Sequence, residues 1–434
     1  MKYYKQIIPE KLEPKLKDIE KHPPSIPGFR MSYLLQVVYW ICTKKDENGY
    51  SYLNIIYLRT YIPQGDQYLK FLLTEGIIER TSNYKPGSRS YGYKFTNQYE
   101  SKYIVKAVTD TKLIERLSKV PEKWAYGFGT QNKYIKSFTF DPEVLRFAEA
   151  TYSGESLKNA IVSITMVNNE EKYSLVDDAG GRFYSNLTNM PKELRQFVMV
   201  KNDYLKANVD IKNSQPYFTT LILTNPAKVA KFAKNKEFAM LLKHLHIPDN
   251  DDIKLYIKLV TKGQFYEYLM PYFEVKGLPC TRPDVKDSVM KILFDQNRES
   301  ISRAKRIFRK LFPTVFEVFS IVRGSGRGER FPILLQAIEA HIVLKVILVR
   351  INKEYPEIIA FSVHDSLLVT DNPEIVEAVM VDELAKFTGY SPVVKIDFFS
   401  PNFIFHSKST TIQREEREEE ETDGGEKRKR IQQR

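Results

Sequence analysis

Cysteine is nearly absent, with Cys42 and Cys280 the only two in 434 residues. Two are too few for a disulfide framework, and neither stands in a metal-ligand spacing, which excludes a stapled miniature fold. Long apolar runs are also lacking: none approaches the ~18 residues of a membrane span, so no membrane partner is expected. The opening MKYYKQIIPEKLEPK has no apolar core of a secretory signal. The expectation is a soluble protein of a reducing compartment, the cytoplasm. No internal repeat is present.

What the chain does have is basic charge and rings. Lysine and arginine number 66 against 54 acids, for a net charge of +12, with 27 Tyr and 26 Phe. Cations meet phosphates and rings meet bases, so this balance suits a nucleic-acid protein, although AT-rich coding inflates the same residues. Apolar residues at 42% are enough for a sizeable core, and at roughly 150 residues per domain the length suggests about three domains.

Residues 1–29 are polar and Pro-punctuated and read as an arm. Over 30–100, apolar spacing predicts helices at Met31–Cys42, Tyr52–Tyr61 and Gln67–Thr74, with a turn at Pro63-Gln64-Gly65. Short alternating stretches at 77–80 and 90–95 then flank a basic turn. Three helices and a hairpin resemble a winged helix-turn-helix, with Lys85 and Arg89 at the wing tip offered to a phosphate backbone; a small α+β packing module fits the same pattern. Residues 101–176 carry mostly helical patterning and read as a connector. Beyond 406 the run REEREEEETDGGEKRKR cannot bury apolar surface and reads as a disordered tail.

The chemistry lies between about 177 and 400, in five features. Gly180-Gly181-Arg182 allows a tight turn presenting a guanidinium suited to phosphate. Ala207–Ile211 rises as a strand into Asp210, where a carboxylate can hold a hard divalent cation or simply cap the following helix. In TRPDVKDSVMKILF, Thr281 can cap and Pro283 fits a first turn. Arg282, Lys286, Met290 and Phe294 recur every four residues and so share one helix surface, reading cation, cation, apolar, aromatic. That surface suits a triphosphate and a base, or equally a core face with two snorkelling cations. Gln336 opens a helix that runs on through VLKVILVRI. Finally, Ile358–Val369 is an apolar run broken only at His364-Asp365, as in a tight hairpin with an acidic tip; turn preference alone does not explain a polar pair between two apolar strands.

In this order the five features resemble the palm and fingers of family A DNA polymerases and of the related single-subunit phage-type RNA polymerases. The resemblance covers roughly half the chain. It implies an α+β polymerase right hand: an antiparallel palm sheet and helical fingers over 177–405, a reduced thumb within the 101–176 connector, and the winged helix at 30–100 ahead of them. It further implies that Asp210, Asp365 and the Ile211 carbonyl hold two Mg²⁺ ions, for which Mn²⁺ can substitute. Arg282 and Lys286 would grip the triphosphate, with Lys286 also catalytic. Met290 and Phe294 would stack on the base, and Gln215 would stand at the sugar. Arg182, Gln336 and His364 would contact the primer-template. The partners are then DNA primer-template and nucleoside triphosphates, acted on by a monomer.

The chain departs from the pattern in several places. The hairpin reads His364-Asp365-Ser366, as in the RNA enzymes, where DNA enzymes carry His-Asp-Glu. Phe294 replaces a tyrosine, and Gln215 stands where DNA enzymes place a bulky Glu. Nothing resembles a 3′–5′ exonuclease. Gln215 and Phe294 together favour deoxynucleotides, giving a small exonuclease-free DNA polymerase of phage or mobile-element replication. The alternatives are a primase or RNA polymerase using ribonucleotides, or a non-catalytic replication initiator with a decayed palm.

Overall fold

Two hydrophobic cores organise the chain, one built from residues 7–113 together with Ile161 and a larger one from 125–394. The computed structural model describes residues 4–46, 48–82, 90–119, 122–294, 302–324 and 330–399. The architecture is mixed α+β, with helices around small antiparallel sheets. The 406–434 tail and the Lys85/Arg89 turn lie outside the described residues.

Most of the expected arm is not one. Residues 4–9 form a strand paired antiparallel with Tyr103–Val108, from Tyr4↔Val108 to Pro9↔Tyr103. A helix follows at Glu13–Lys21, and Leu12, Leu16 and Ile19, spaced as one helical face, are buried together with Ile7 and Ile8. Pairing across nearly a hundred residues is invisible to local pattern.

The three expected helices occur at Met31–Thr43, Ile55–Tyr61 and Gly65–Thr74. The second starts later than its apolar pattern, because Ser51–Tyr52 pairs as a strand with Gly92–Tyr93 and the Asn54 side chain accepts from the Ile56 and Tyr57 amides. The sheet order is Ser51–Tyr52, Gly92–Phe95, Ile78–Arg80. Gly65 permits the tight corner between the last two helices: a Cβ there would lie 2.5 Å from Leu58 Cγ. The expected helical connector is in part strand, since Thr139–Phe140 pairs with Val198–Val200.

Four antiparallel strands form the central sheet of the larger core, in the order Ala360–Val363, Ser366–Val369, Ala207–Ile211, Val394–Phe398. The register sets Asp210 opposite both Ser366 and Lys395. Ala207, Val209 and Ile211 alternate inward and are buried, while Asp210 is only partly covered. Helix Pro373–Thr388 packs against this sheet, and helix Ser214–Thr224 packs against Pro373–Thr388.

One exclusion made from the sequence needs correction. Phe331–Glu354 is a 24-residue helical stretch whose most apolar 18 residues have mean hydropathy 1.9, long and apolar enough by length and composition to cross a membrane. Gln336, Glu339, His341 and Lys345 interrupt the run when the sequence is read residue by residue. It packs against the helices at 214–224, 282–294 and 373–388 and the strand at 360–363, which accounts for the apolar faces.

Candidate active site

The His364-Asp365 hairpin is as tight as the sequence suggests. Ser362 and Val363 lead in, His364 takes φ +57°, and Ser366 Oγ donates to the Val363 carbonyl at 3.0 Å, closing the turn. Both flanking strands are buried along their whole length. Since Ser366 opposes Asp210, the turn places Asp365 one residue from Asp210 across the sheet end.

Both aspartates line a cleft of about 520 Å³. Burial and the neighbouring Asp365 carboxylate push Asp210 from 3.8 up to about 7, while Lys286 pulls it back. Two carboxylates forced together out of water repel unless a cation lies between them. Asn213, also on the cleft wall, is buried with both side-chain amide atoms lacking a partner. Asp210, Asp365 and Asn213 thus bring polar side chains together at one end of the sheet.

The opposite wall is the helix Arg282–Phe294. It starts in a reciprocal cap: the Thr281 amide donates to Asp284 Oδ2 at 3.2 Å, and the Asp284 amide to Thr281 Oγ1 at 3.4 Å. Val285, Val289, Ile292 and Leu293 face the core, which turns Arg282, Lys286 and Met290 toward the cleft they line. Arg282 lies 5.2 Å over the Tyr266 ring and donates to Glu267 at 2.8 Å. The fully buried Arg323 holds the far end by donating to the Ile292 carbonyl. Phe294, expected to stack on a base, is not among the lining residues and packs against the core.

Gln215 and Ile211 line the cleft. The remaining expected residues stand beside it. A Cβ on Gly180 would come within 2.7 Å of Gln336 Cβ, so the Gly-Gly turn and the Gln336 helix touch. Asp177 fixes that turn by accepting from the Gly180 and Arg182 amides. His364 packs edge-on against Tyr184 at 5.2 Å, and burial, then Arg182, hold its imidazolium form down.

Sequence reasoning assigned no role to Glu339. It is buried and accepts from Arg182 Nε at 2.8 Å and Nη2 at 2.7 Å, from Ser214 Oγ at 3.3 Å, and from Gln215 Nε2. Burial and Asp365 push it up to about 8, against the pull of Arg182. A signal existed, a lone acid in the apolar run LLQAIEAHIVL, three residues past Gln336. Lys395, Asp397 and Tyr266 also line the cleft, and no local pattern marked them.

No family model matches the sequence, and no curated protein matches it. Among solved structures the chain is similar to the POL domain of Pol1 from M. smegmatis, in a complex with DNA primer-template and dNTP. The TM-score is 0.31 at 14% identity, over 60% of this chain and 55% of that one. Likeness at that level assigns no family.

Proposed function

We propose that the protein is a template-directed nucleotidyltransferase that extends a DNA primer with deoxynucleoside triphosphates. The observation that carries this reading is the pairing of Asp210 and Asp365 at the end of one sheet, facing Arg282, Lys286 and Met290 across a single cleft. Carboxylates on one wall and cations on the other can hold a divalent ion and a triphosphate between them. The elevated Asp210 and the unpartnered Asn213 fit a bound Mg²⁺. Asp210 and Asp365, with the Ile211 carbonyl, would hold it. When bound, two Mg²⁺ ions would activate the primer 3′-oxygen and steady the leaving pyrophosphate. Arg282 and Lys286 would clamp the triphosphate and neutralise charge as it departs. Met290 would bear on the base, and Gln215 would border the sugar.

In this reading the sheet and the Lys286 helix are the palm and fingers of a polymerase right hand. Residues 30–100 are a winged-helix module that positions DNA, with Lys85 and Arg89 on its phosphates. Arg182, Gln336 and His364 lie on the primer side.

Ribonucleotide use is the second reading, and one observation favours it: Gln215 lines the cleft with Oε1 lacking a partner, an acceptor that a 2′-hydroxyl could satisfy once the side chain turns to expose it. Extension of a labelled primer with dNTPs or rNTPs, with and without Mg²⁺, tests both. Mg²⁺-dependent extension that Asp210→Ala and Asp365→Ala abolish is expected. Equal extension by those variants would overturn the assignment.

A further inference from the structure

Glu339 reaches no cleft wall, yet it holds residues from two sides of the site. Its carboxylate has about four acceptor positions, and four donors reach it: two from Arg182, one from Ser214 and one from Gln215. Arg182 and Gln215 reach it only as donors, while the Ser214 hydroxyl can donate or accept, so the network is satisfied by the ionised carboxylate and, through Ser214, by a carboxyl carrying one proton. Arg182 comes from the turn after Gly181, Gln215 from the first turn of the helix behind Asp210, and Glu339 from the long helix beneath both. An ion pair with Arg182 alone would serve a purely structural role. The additional capture of Gln215, a cleft residue, does more: with Nε2 committed to Glu339, the amide is fixed with Oε1 turned away from it and unpartnered.

Resting on the nucleotidyltransferase reading, we propose that Glu339 is the positioning residue for sugar selection, locking the Gln215 amide in one orientation and tying it to the primer-side Arg182. The chain thereby sets its preference between 2′-hydroxyl and 2′-hydrogen sugars from beneath the cleft. Losing the lock frees Gln215 to rotate, and the preference relaxes whichever sugar the wild type favours.

The test uses the full chain and compares wild type, Gln215→Ala, Glu339→Gln and the double variant. The first readout is the ratio of kcat/KM for dNTP to that for rNTP on a primed template. Glu339→Gln keeps the shape but puts an amide against two donors. It should shift the ratio by about fivefold or more, the scale of one hydrogen bond, in the direction of Gln215→Ala. The double variant should shift it no further, since both changes break one device. It should also weaken primer-template affinity through Arg182, which Gln215→Ala should not. A folded Glu339→Gln with an unchanged ratio, or a double variant whose shifts add, overturns the proposal. Should Glu339→Gln fail to fold, Glu339→Asp, which keeps the charge one methylene short, takes its place under the same criteria. If the wild type extends no primer, the functional reading has failed, and the lock is judged by Mg²⁺-dependent binding of ATP against dATP. A binding ratio that neither Gln215→Ala nor the Glu339 variant changes overturns it there.

Discussion

Two glutamates turn their carboxyl groups into the protein, one in each half, and they are held differently. Glu171 lies where the N-terminal core meets the helix Gly154–Asn168. It accepts from the Tyr4 hydroxyl, from the Tyr39 hydroxyl at 2.9 Å and from Asn169 Nδ2 at 3.5 Å. Asn169 in turn exchanges two hydrogen bonds with the Lys5 backbone. Every donor is neutral, and each belongs to an element being fastened. Glu339 instead faces a guanidinium and a residue of an open cleft. Burial raises the pKa of both. The difference teaches where to look for function. A buried acid whose partners are neutral and complete is a fastening, whereas one that leaves a neighbour's acceptor unfilled beside a cleft is part of a site.

The comparison breaks most visibly in the site half. Asp365→Ala should lower nucleotide incorporation on the order of 10³-fold or more, since charge stabilisation by a bound metal amounts to several kcal/mol. Unfolding in urea should show no loss of stability, because the variant removes one of two repelling carboxylates. Incorporation near the wild-type rate would show that the metal pair lies elsewhere.

In the other half the pattern should invert. Glu171→Ala strands the Tyr4 and Tyr39 hydroxyls inside the protein, and each unpaired buried group costs about 1–3 kcal/mol. The urea midpoint should fall while the rate per folded molecule is kept. A rate loss with no loss of stability would make Glu171 part of the site and dissolve the distinction.

A smaller effect separates the halves by pH. The Asp210 carboxyl rises from 3.8 to about 7 in the folded chain, so between those values the folded state holds a proton that the unfolded state releases. Stability therefore falls as pH rises through that window and stays low above it. With metal removed by a chelator, Asp210→Asn should flatten the curve. It should also stabilise the protein at pH 8 by about 1–3 kcal/mol, because a tenfold change in proton affinity is worth roughly 1.4 kcal/mol and partial exposure reduces the total. Parallel curves for variant and wild type would mean that Asp210 is not held against Asp365.

Much of this site was legible because its devices are local. An apolar run broken at His364-Asp365 makes a hairpin, and Thr281 with Asp284 caps a helix whose four-residue spacing names its own face. What escaped depends on register and distance. The strand at 4–9 finds its partner at 103–108, and Asp397 and Lys395 reach the cleft only because the last strand pairs with the Asp210 strand. Glu339 stood as a lone acid in an apolar run, but the partners that give it meaning, Arg182, Ser214 and Gln215, lie more than a hundred residues away. Phe294 kept the spacing of its face, but forty degrees of drift per step carries the fourth residue away from the cleft that Arg282, Lys286 and Met290 line.

The smallest effect concerns the contact between the Gly-Gly turn and the Gln336 helix. Gly180 needs no unusual backbone, unlike Gly181 at φ +72°, so alanine is conformationally allowed there. Its Cβ would nevertheless meet Gln336 at Cβ, 2.7 Å away, and at Oε1, 2.8 Å away. The first of these atoms is rooted in the helix and cannot swing aside, so the turn or the helix must shift by a few tenths of an ångström. Overpacking of this kind costs about 1 kcal/mol at the mild end. Because Asp177 still holds the turn through the Gly180 and Arg182 amides, the displacement should fall on Gln336 and leave the Asp210–Asp365 pair in place. Gly180→Ala should then weaken primer-template binding by about fivefold, with kcat at saturating DNA retained. A variant that binds primer-template as tightly as the wild type would remove Gln336 from the primer side. One that loses kcat instead would mean that the turn supports the carboxylates, and the primer side and the metal side would have to be treated as one unit.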